Sequence, residues 1–139
     1  MADPVVTRSE DETEALARAL AAKLRPGDVV LLEGELGAGK TVFARGLAAG
    51  LAHDPEAVSS PTFTLLHEYR SGRVPMFHAD LYRVDRAEAA ELGLEEMAAE
   101  GVLVVEWPDR LRDPGPSPVR VRLEYVAADD NARRITVAR

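Results

Sequence analysis

The stretch Gly34-Glu35-Leu36-Gly37-Ala38-Gly39-Lys40-Thr41 decides the fold. It matches the pattern G-x-x-x-x-G-K-[ST] at every fixed position, and we call residues 34–41 the phosphate loop. Its glycines permit backbone conformations closed to other residues, so that successive amides can point at phosphate oxygens. The pattern predicts ATP or ADP with Mg²⁺ as ligands. The expected nucleotide contacts are Gly34, Gly37, Ala38, Gly39, Lys40, Thr41 and Val42, with Lys40 on the β and γ phosphates and the Thr41 hydroxyl on magnesium.

The sequence on either side of the phosphate loop supports this interpretation. Residues 29–32 form a continuous apolar run typical of a strand buried on both faces. After the loop, Phe43, Leu47 and Leu51 recur at the spacing of one helix face. A chance match in a glycine-containing turn is the alternative, and a strand before and a helix after argue against it.

Other segments predict further helices and strands. Ser9 and Glu12 fit a capping box that opens a helix over about 12–24. Two short strands are predicted at 65–69 and 74–78, one or two short helices at 86–100, and a buried strand at 102–105. Residues 113–118 contain three prolines and read as a linker. The alternating segment 119–125 is predicted to pair with 134–138 across an Asp129-Asp130-Asn131 turn.

Together these elements predict one α/β domain over residues 1–139. We expect a P-loop NTPase-like fold, with a mostly parallel central sheet flanked by helices and antiparallel C-terminal strands.

Two carboxylates follow predicted strands and are candidates for holding magnesium. Asp80 comes after the strand that ends at His78, and Glu106 comes after residues 102–105. Because the carboxyl ends of parallel strands converge on the ligand crevice, both could face the phosphates. A turn cap for Asp80 and a solvated strand end for Glu106 remain open alternatives. For His78 a satisfied structural histidine is favoured, and for Trp107 a core or interface position.

The loop Ser59-Ser60-Pro61-Thr62-Phe63-Thr64 allows two interpretations. A threonine in such a loop can sense the γ phosphate and magnesium in nucleotide switches. Serine and proline also favour a plain turn, and the sequence by itself favours that turn.

Composition excludes several classes of function. With 17 basic and 24 acidic residues, the net charge of −7 argues against gripping DNA or RNA directly. The chain has no cysteine, which excludes disulfides and Cys-based metal sites. It shows neither a signal-peptide pattern nor an apolar run of about 20 residues. We therefore expect a cytoplasmic protein that does not act at a membrane and that meets RNA only through a partner.

Five segments, considered together, resemble the TsaE family, the small ATPases of bacterial threonylcarbamoyladenosine synthesis on tRNA. They are GELGAGKT at 34–41, SPTFTL at 60–65, HADLYR at 78–83, ELGLEE at 91–96 and VEWPDRL at 105–111. The resemblance implies a slow Mg²⁺-dependent ATPase that works with a TsaD–TsaB pair, which transfers the threonylcarbamoyl group to tRNA. Contact with tRNA would be indirect, through that complex.

The resemblance also implies roles for particular residues. Thr41 and Glu106 would be magnesium ligands, and Asp80 a Walker B-like acid near the same ion. Thr62 would lie on a switch-like loop, and Trp107 close to the nucleotide or to a partner. The expected catalytic residues are Lys40, Asp80, Glu106 and Thr62. The adenine contact would lie around Glu10 to Thr13.

Two other classes of function share the phosphate loop. A small phosphoryl-transfer kinase needs an acceptor site and usually an arginine-bearing lid, for which the proline-rich segment after Glu106 is poorly suited. A nucleotide-sensing interaction module without useful hydrolysis is the other alternative. No residue stands out as the base that positions water, which favours slow hydrolysis completed by a partner.

Overall fold

The computed structural model describes residues 3–59 and 65–139. In these ranges the chain forms β1 Val5–Thr7, α1 Glu10–Ala21, β2 Val29–Glu33, α2 Lys40–Gly50, β3 Leu66–Tyr69, β4 Met76–Asp80, α3 Arg86–Ala90, α4 Leu94–Glu100, β5 Val102–Glu106, β6 Val119–Val126 and β7 Asp129–Ala138. Short 3₁₀ turns occupy Pro55–Ala57 and Pro108–Arg110.

One sheet contains all seven of these strands, in the order β1-β7-β6-β2-β5-β4-β3. Its centre, β6-β2-β5-β4, is parallel, whereas β7, β1 and β3 pair antiparallel at the two edges. The predicted fold class is therefore confirmed. In this register Asp80 lies beside Glu106, and Leu32 lies beside Glu106 on the other flank. The carboxyl ends of β4, β5 and β2 consequently meet where the phosphate loop begins.

Helices cover both faces of the central strands. Val30 and Leu32 of β2 pack in the core cluster that contains Phe43 and Leu47 of α2, together with residues of α1. Leu31, on the opposite face of β2, belongs to the cluster formed with α3 and α4. This burial on both sides explains why residues 29–32 are continuously apolar.

The capping prediction for α1 is correct in one half and wrong in the other. Ser9 Oγ accepts a hydrogen bond from the Glu12 amide at 3.1 Å, as a capping serine should. The Glu12 carboxylate instead accepts from the Arg8 amide at 3.0 Å, one residue before the cap. The helix spans Glu10–Ala21 rather than 12–24, because its cap directly precedes Glu10.

The turn predicted at Asp129-Asp130-Asn131 is wrong. β7 already begins at Asp129, which pairs with Val126, so the turn consists of residues 127 and 128. Ala128 has a φ of +72°, which sequence rules would assign to Gly or Asn. β1 was not predicted, because its three residues are too few for a periodic pattern; it is held by pairing with β7.

Other boundaries shift by one or two residues. β4 begins at Met76 and includes Asp80, and β5 includes Glu106, so each carboxylate ends a strand rather than following it. The segment predicted as one or two helices forms two, α3 and α4. Gly93 separates them, because its φ of +73° is incompatible with a continuous right-handed helix.

Helices α1 and α2 pack so closely that a glycine is required between them. A Cβ at Gly46 would lie 2.3 Å from the Glu14 carbonyl oxygen and 2.6 Å from Ala17 Cβ. We expect Gly46→Ala to lower the free energy of unfolding by about 1–3 kcal/mol, measured by urea denaturation. Alanine normally favours a helix over glycine by about 1 kcal/mol. A more stable Gly46→Ala protein would therefore contradict this packing.

Candidate functional site

The phosphate loop connects the end of β2 to the first residue of α2. Gly37 and Gly39 adopt φ values of +82° and +101°, in the left-handed region that favours glycine. A Cβ at Gly34 would lie 2.7 Å from the Leu123 carbonyl oxygen, so the loop needs a glycine to pass beside β6. Because α2 begins at Lys40, its free amides lie at the end of the loop, where an anion is stabilised.

Lys40 is buried at the centre of this site, with 5% of its surface exposed. Its Nζ donates a hydrogen bond to the Gly34 carbonyl at 2.9 Å and lies 3.8 Å from the centroid of the Trp107 ring. Burial lowers the pKa of Lys40, while the negative charges of Glu106 and Asp80 act to raise it. The three side chains therefore share one electrostatic environment.

Asp80 and Glu106 are neighbours at the ends of two parallel strands, and both are buried. Asp80 Oδ1 accepts a hydrogen bond from the Tyr82 amide at 2.9 Å, so this carboxylate does cap a turn. Its negative charge also acts on Lys40. The solvated strand end considered for Glu106 is wrong, since only 3% of Glu106 is exposed.

Glu106 is held by His78, two residues before Asp80 on β4. His78 Nε2 lies 2.6 Å from Glu106 Oε2, and His78 is fully buried. His78 Nδ1 has no hydrogen-bond partner in the part of the chain that the structure describes. The satisfied structural histidine expected from the sequence is therefore satisfied at only one of its ring nitrogens. Its contact with Glu106 fixes a carboxylate of the candidate site.

The donors at this edge have the chemistry that magnesium prefers. Thr41, the second residue of α2, offers a hydroxyl, and Asp80 and Glu106 offer carboxylates. Within residues 3–59 and 65–139, no group of three or more His, Asp or Glu side chains could hold a metal. Mg²⁺ usually takes one or two carboxylates and fills its other positions with phosphate oxygens and water, so Thr41, Asp80 and Glu106 are donors of the kind that it uses.

A cavity of about 340 Å³ adjoins the phosphate loop on the side of α1. Its lining brings together Glu10 and Thr13, from the segment predicted for the adenine contact, and Gly37 and Gly39 of the phosphate loop. The other lining residues are Arg8, Ser9, Val42, Asp130, Asn131 and Arg133. Glu10 and Val42, which lie 32 positions apart, thus border the same space.

Trp107 follows β5 with a φ of +57°, an uncommon backbone conformation for a bulky residue. Its ring covers Lys40 and lies 4.9 Å from the ring of Tyr82, centroid to centroid. This contact places the ring beside the phosphate loop, while the expected closeness of Trp107 to the nucleotide or to a partner stays a prediction. Thr62 lies outside the described residues, and its predicted role in a switch-like loop stays a prediction.

A larger cavity of about 880 Å³ meets the phosphate loop only at Gly34 and Glu35. Arg120 and Arg122 line it, and both face Glu33, at 3.1 and 3.5 Å. These arginines already have a carboxylate opposite them, so this cavity offers phosphate a weaker environment than the loop does.

Two residues of the C-terminal hairpin contact the phosphate loop, and sequence reasoning missed both roles. The Tyr125 hydroxyl donates to the Leu36 carbonyl at 3.0 Å, and Arg133 Nε donates to the Ala38 carbonyl at 3.1 Å. Tyr125 was expected only as the last residue of the alternating segment 119–125. No local pattern could reveal contacts that span 89 and 95 residues of sequence.

The family model for "Threonylcarbamoyl adenosine biosynthesis protein TsaE" matches residues 7–135 of this chain. The chain belongs to the TsaE family. The resemblance inferred from the five sequence segments is thereby confirmed.

Individual TsaE proteins are similar over nearly the whole chain. The tRNA threonylcarbamoyladenosine biosynthesis protein TsaE of Bacillus subtilis is 43% identical over 131 residues, covering 94% of this chain and 81% of the relative. The TsaE of Aquifex aeolicus is 39% identical over 136 residues, covering 97% and 95%. The crystal structure of Bacillus subtilis YdiB superposes with a TM-score of 0.77 at 35% identity, covering 99% of this chain and 86% of YdiB.

These matches assign the chain to a family of tRNA threonylcarbamoyladenosine biosynthesis proteins with the same α/β fold. None of the helices in the described parts of this TsaE family member is long and apolar enough to cross a membrane.

The buried contact between His78 and Glu106 makes a prediction about stability. His78→Leu keeps similar bulk but leaves the Glu106 carboxylate buried without its donor, and we expect it to lower the free energy of unfolding by about 3 kcal/mol. His78→Gln supplies an amide donor, so its free energy of unfolding should fall by less than half as much. Urea denaturation measures both, and equal losses would contradict a role for this hydrogen bond.

Proposed function

We propose that this protein binds ATP with Mg²⁺ and hydrolyses it slowly, and that this cycle supports threonylcarbamoyladenosine modification of tRNA by a TsaD–TsaB pair. The observation that carries the proposal is a buried lysine, Lys40, which bonds the Gly34 carbonyl of the phosphate loop and feels the negative charges of two buried carboxylates, Asp80 and Glu106. Family membership supplies the pathway.

Phosphate binding is supported by the loop and the helix that follows it. The positive φ of Gly37 and Gly39 fits a loop whose amides point toward an anion, and the start of α2 adds further amides. Lys40 contributes a full positive charge in a poorly solvated environment, where charge interactions are stronger than in water. To meet a phosphate, the Lys40 ammonium would exchange its hydrogen bond with the Gly34 carbonyl for one with a phosphate oxygen.

Magnesium would be held by Thr41 together with Glu106 and Asp80, directly or through water. When bound, the ion would neutralise charge that develops on the phosphoryl group as it is transferred. Because His78 holds the Glu106 carboxylate in one orientation, that ligand would need little rearrangement. The adenosine part of the nucleotide would occupy the cavity beside Glu10 and Val42.

Slow hydrolysis is supported by what the two carboxylates already do. Glu106 accepts a hydrogen bond from His78, and Asp80 accepts one from the Tyr82 amide. Neither is therefore an obvious base for orienting an attacking water. We expect partner residues to complete the catalytic set, as an arginine or glutamine supplied by a partner does in other phosphate-loop enzymes.

The acidic surface supports an indirect relation to tRNA. A net charge of −7 disfavours binding an anionic backbone without help. We therefore expect the TsaD–TsaB pair to hold the tRNA while this subunit supplies the nucleotide cycle.

The phosphate-loop lysine provides the first test of this function. The chain has two lysines, buried Lys40 and exposed Lys23, which lies two residues after the end of α1, so each can be replaced in a matched pair. Lys40→Ala should weaken MgATP binding roughly 100-fold or more, because charge-assisted hydrogen bonds to phosphate are lost. Lys23→Ala should change the affinity for MgATP less than twofold. Calorimetric titration gives both values, and equal behaviour of the two variants would disprove the assignment.

The two carboxylates can be separated by their effect on magnesium. We expect Glu106→Gln to raise the Mg²⁺ concentration needed for half-maximal hydrolysis about tenfold, while the affinity for ATP without magnesium changes little. Asp80→Asn is the matched variant on the adjacent strand. If magnesium dependence responds to Asp80→Asn but not to Glu106→Gln, Asp80 is the main metal carboxylate.

The pathway role requires an assay of the complete system. Phosphate release from MgATP should be slow with the pure protein and should rise when a TsaD–TsaB pair and tRNA are added. Lys40→Ala should abolish both the basal and the stimulated rates. Fast release by the pure protein, unchanged by the partners, would indicate an independent enzyme such as a small kinase.

A further inference from the structure

The C-terminal hairpin, β6 and β7, holds the backbone of the phosphate loop from the outside. The Tyr125 hydroxyl bonds the Leu36 carbonyl, and the Arg133 guanidinium bonds the Ala38 carbonyl and, at 3.4 Å, the Gly37 carbonyl. Three successive carbonyls of the loop thus have donors from one hairpin.

These bonds determine where the loop amides point. In a trans peptide unit the carbonyl of one residue and the amide of the next point in opposite directions. Holding the Leu36 and Ala38 carbonyls toward the hairpin therefore directs the amides of Gly37 and Gly39 away from it. Those are the two loop glycines with positive φ. The intervening Ala38 amide is used within the loop, where it donates to the Glu35 carbonyl.

The arginine that holds the loop is itself fixed. Its guanidinium stacks 4.4 Å from the centroid of the Tyr125 ring, its cross-strand neighbour. It also donates to the carbonyls of Asp130 and Ala132. Because Tyr125 and Arg133 support each other and both bond the loop, they behave as one unit.

We propose that Arg133 and Tyr125 are positioning residues for nucleotide phosphates, which orient the amides of Gly37 and Gly39 by holding the loop carbonyls. This proposal rests on the proposed nucleotide binding and adds the hairpin to the site. A loop with three glycines has many conformations available. The hairpin selects one of them before the ligand arrives, which lowers the entropy lost on binding.

A different role for Arg133 must be separated from this one. Arg133 lines the cavity of about 340 Å³ beside the loop and carries a positive charge, so it could contact the nucleotide directly. Tyr125→Phe distinguishes the two roles, because it removes a donor to the Leu36 carbonyl without removing a charge. Inorganic triphosphate carries no base or ribose, so it separates the positioning role from a direct contact of Arg133 with the adenosine part.

The experiment measures dissociation constants for MgATP and for magnesium triphosphate with the full-length protein. We expect Arg133→Ala to weaken MgATP binding about 20-fold and Tyr125→Phe about 5-fold. Triphosphate binding should weaken by the same factors. Arg133→Lys keeps the charge but not the planar fork that reaches two carbonyls, so it should stay at least fivefold weaker than the parent. The control is Arg134→Ala, the exposed neighbour on β7, which should change binding less than twofold.

The possible outcomes separate a failure of the proposed function from a failure of the positioning role. If the parent protein does not bind MgATP, the proposed function fails and this inference fails with it. If the parent binds but Arg133→Ala behaves like Arg134→Ala, only the inference fails. An unchanged triphosphate affinity in Arg133→Ala would indicate a direct contact of Arg133 with the nucleotide instead. A full rescue of MgATP affinity by Arg133→Lys, or an unchanged MgATP affinity in Tyr125→Phe, would indicate that only the charge of Arg133 or its direct contact matters. Thermal melting of every variant in the absence of ligand shows whether a loss of binding reflects unfolding. If Arg133→Ala does not fold, Tyr125→Phe, which is the mildest change, tests the same mechanism.

Discussion

The buried ammonium group of Lys40 is the constraint on which the rest of the site depends. A charge removed from water is costly unless other groups replace its hydration. In this protein the Gly34 carbonyl, the face of the Trp107 ring and the field of Asp80 and Glu106 do so together. These groups come from three separate parts of the chain, at Gly34, at Asp80 and at the adjacent Glu106 and Trp107, and all of them must reach the same edge of the sheet.

The parallel centre of the sheet makes this convergence possible. Strands β2, β5 and β4 end at the same edge, and each delivers polar chemistry there: the phosphate loop after β2, Glu106 on β5 and Asp80 on β4. His78 differs from these groups because it lies inside a strand rather than at its end. A fully buried polar residue inside an apolar strand weakens the core, and its contact with Glu106 explains why that position is not apolar.

The C-terminal hairpin, β6 and β7, adds a second kind of support. β6 lies beside β2 and brings its backbone so close to the phosphate loop that only glycine fits at position 34. The same hairpin places donors on the loop carbonyls through Tyr125 and Arg133. The loop is therefore bordered by the strands that carry the carboxylates on one side and by the hairpin on the other.

By itself the sequence determined the elements whose signals are local. The phosphate loop, the strand before it and the helix after it follow from a glycine pattern and from apolar periodicity, and the α/β class follows from their order. The family resemblance could also be recognised from short segments. The prediction of secondary structure failed where the sequence pattern was weak. β1 was missed because it has only three residues. The hairpin turn was misplaced because Ala128 takes a conformation that its side chain disfavours.

Only the tertiary structure decided which distant side chains meet. The contact of His78 with Glu106 spans 28 residues, and those of Tyr125 and Arg133 with the loop span 89 and 95. Strand order and register create these contacts, and no local propensity encodes them. Glu106 was recognisable as a carboxylate near a strand end, but its burial and its partner depend on a neighbouring strand. The physical reason is that local sequence sets backbone conformation, whereas burial and hydrogen bonding between distant residues exist only once the sheet is assembled.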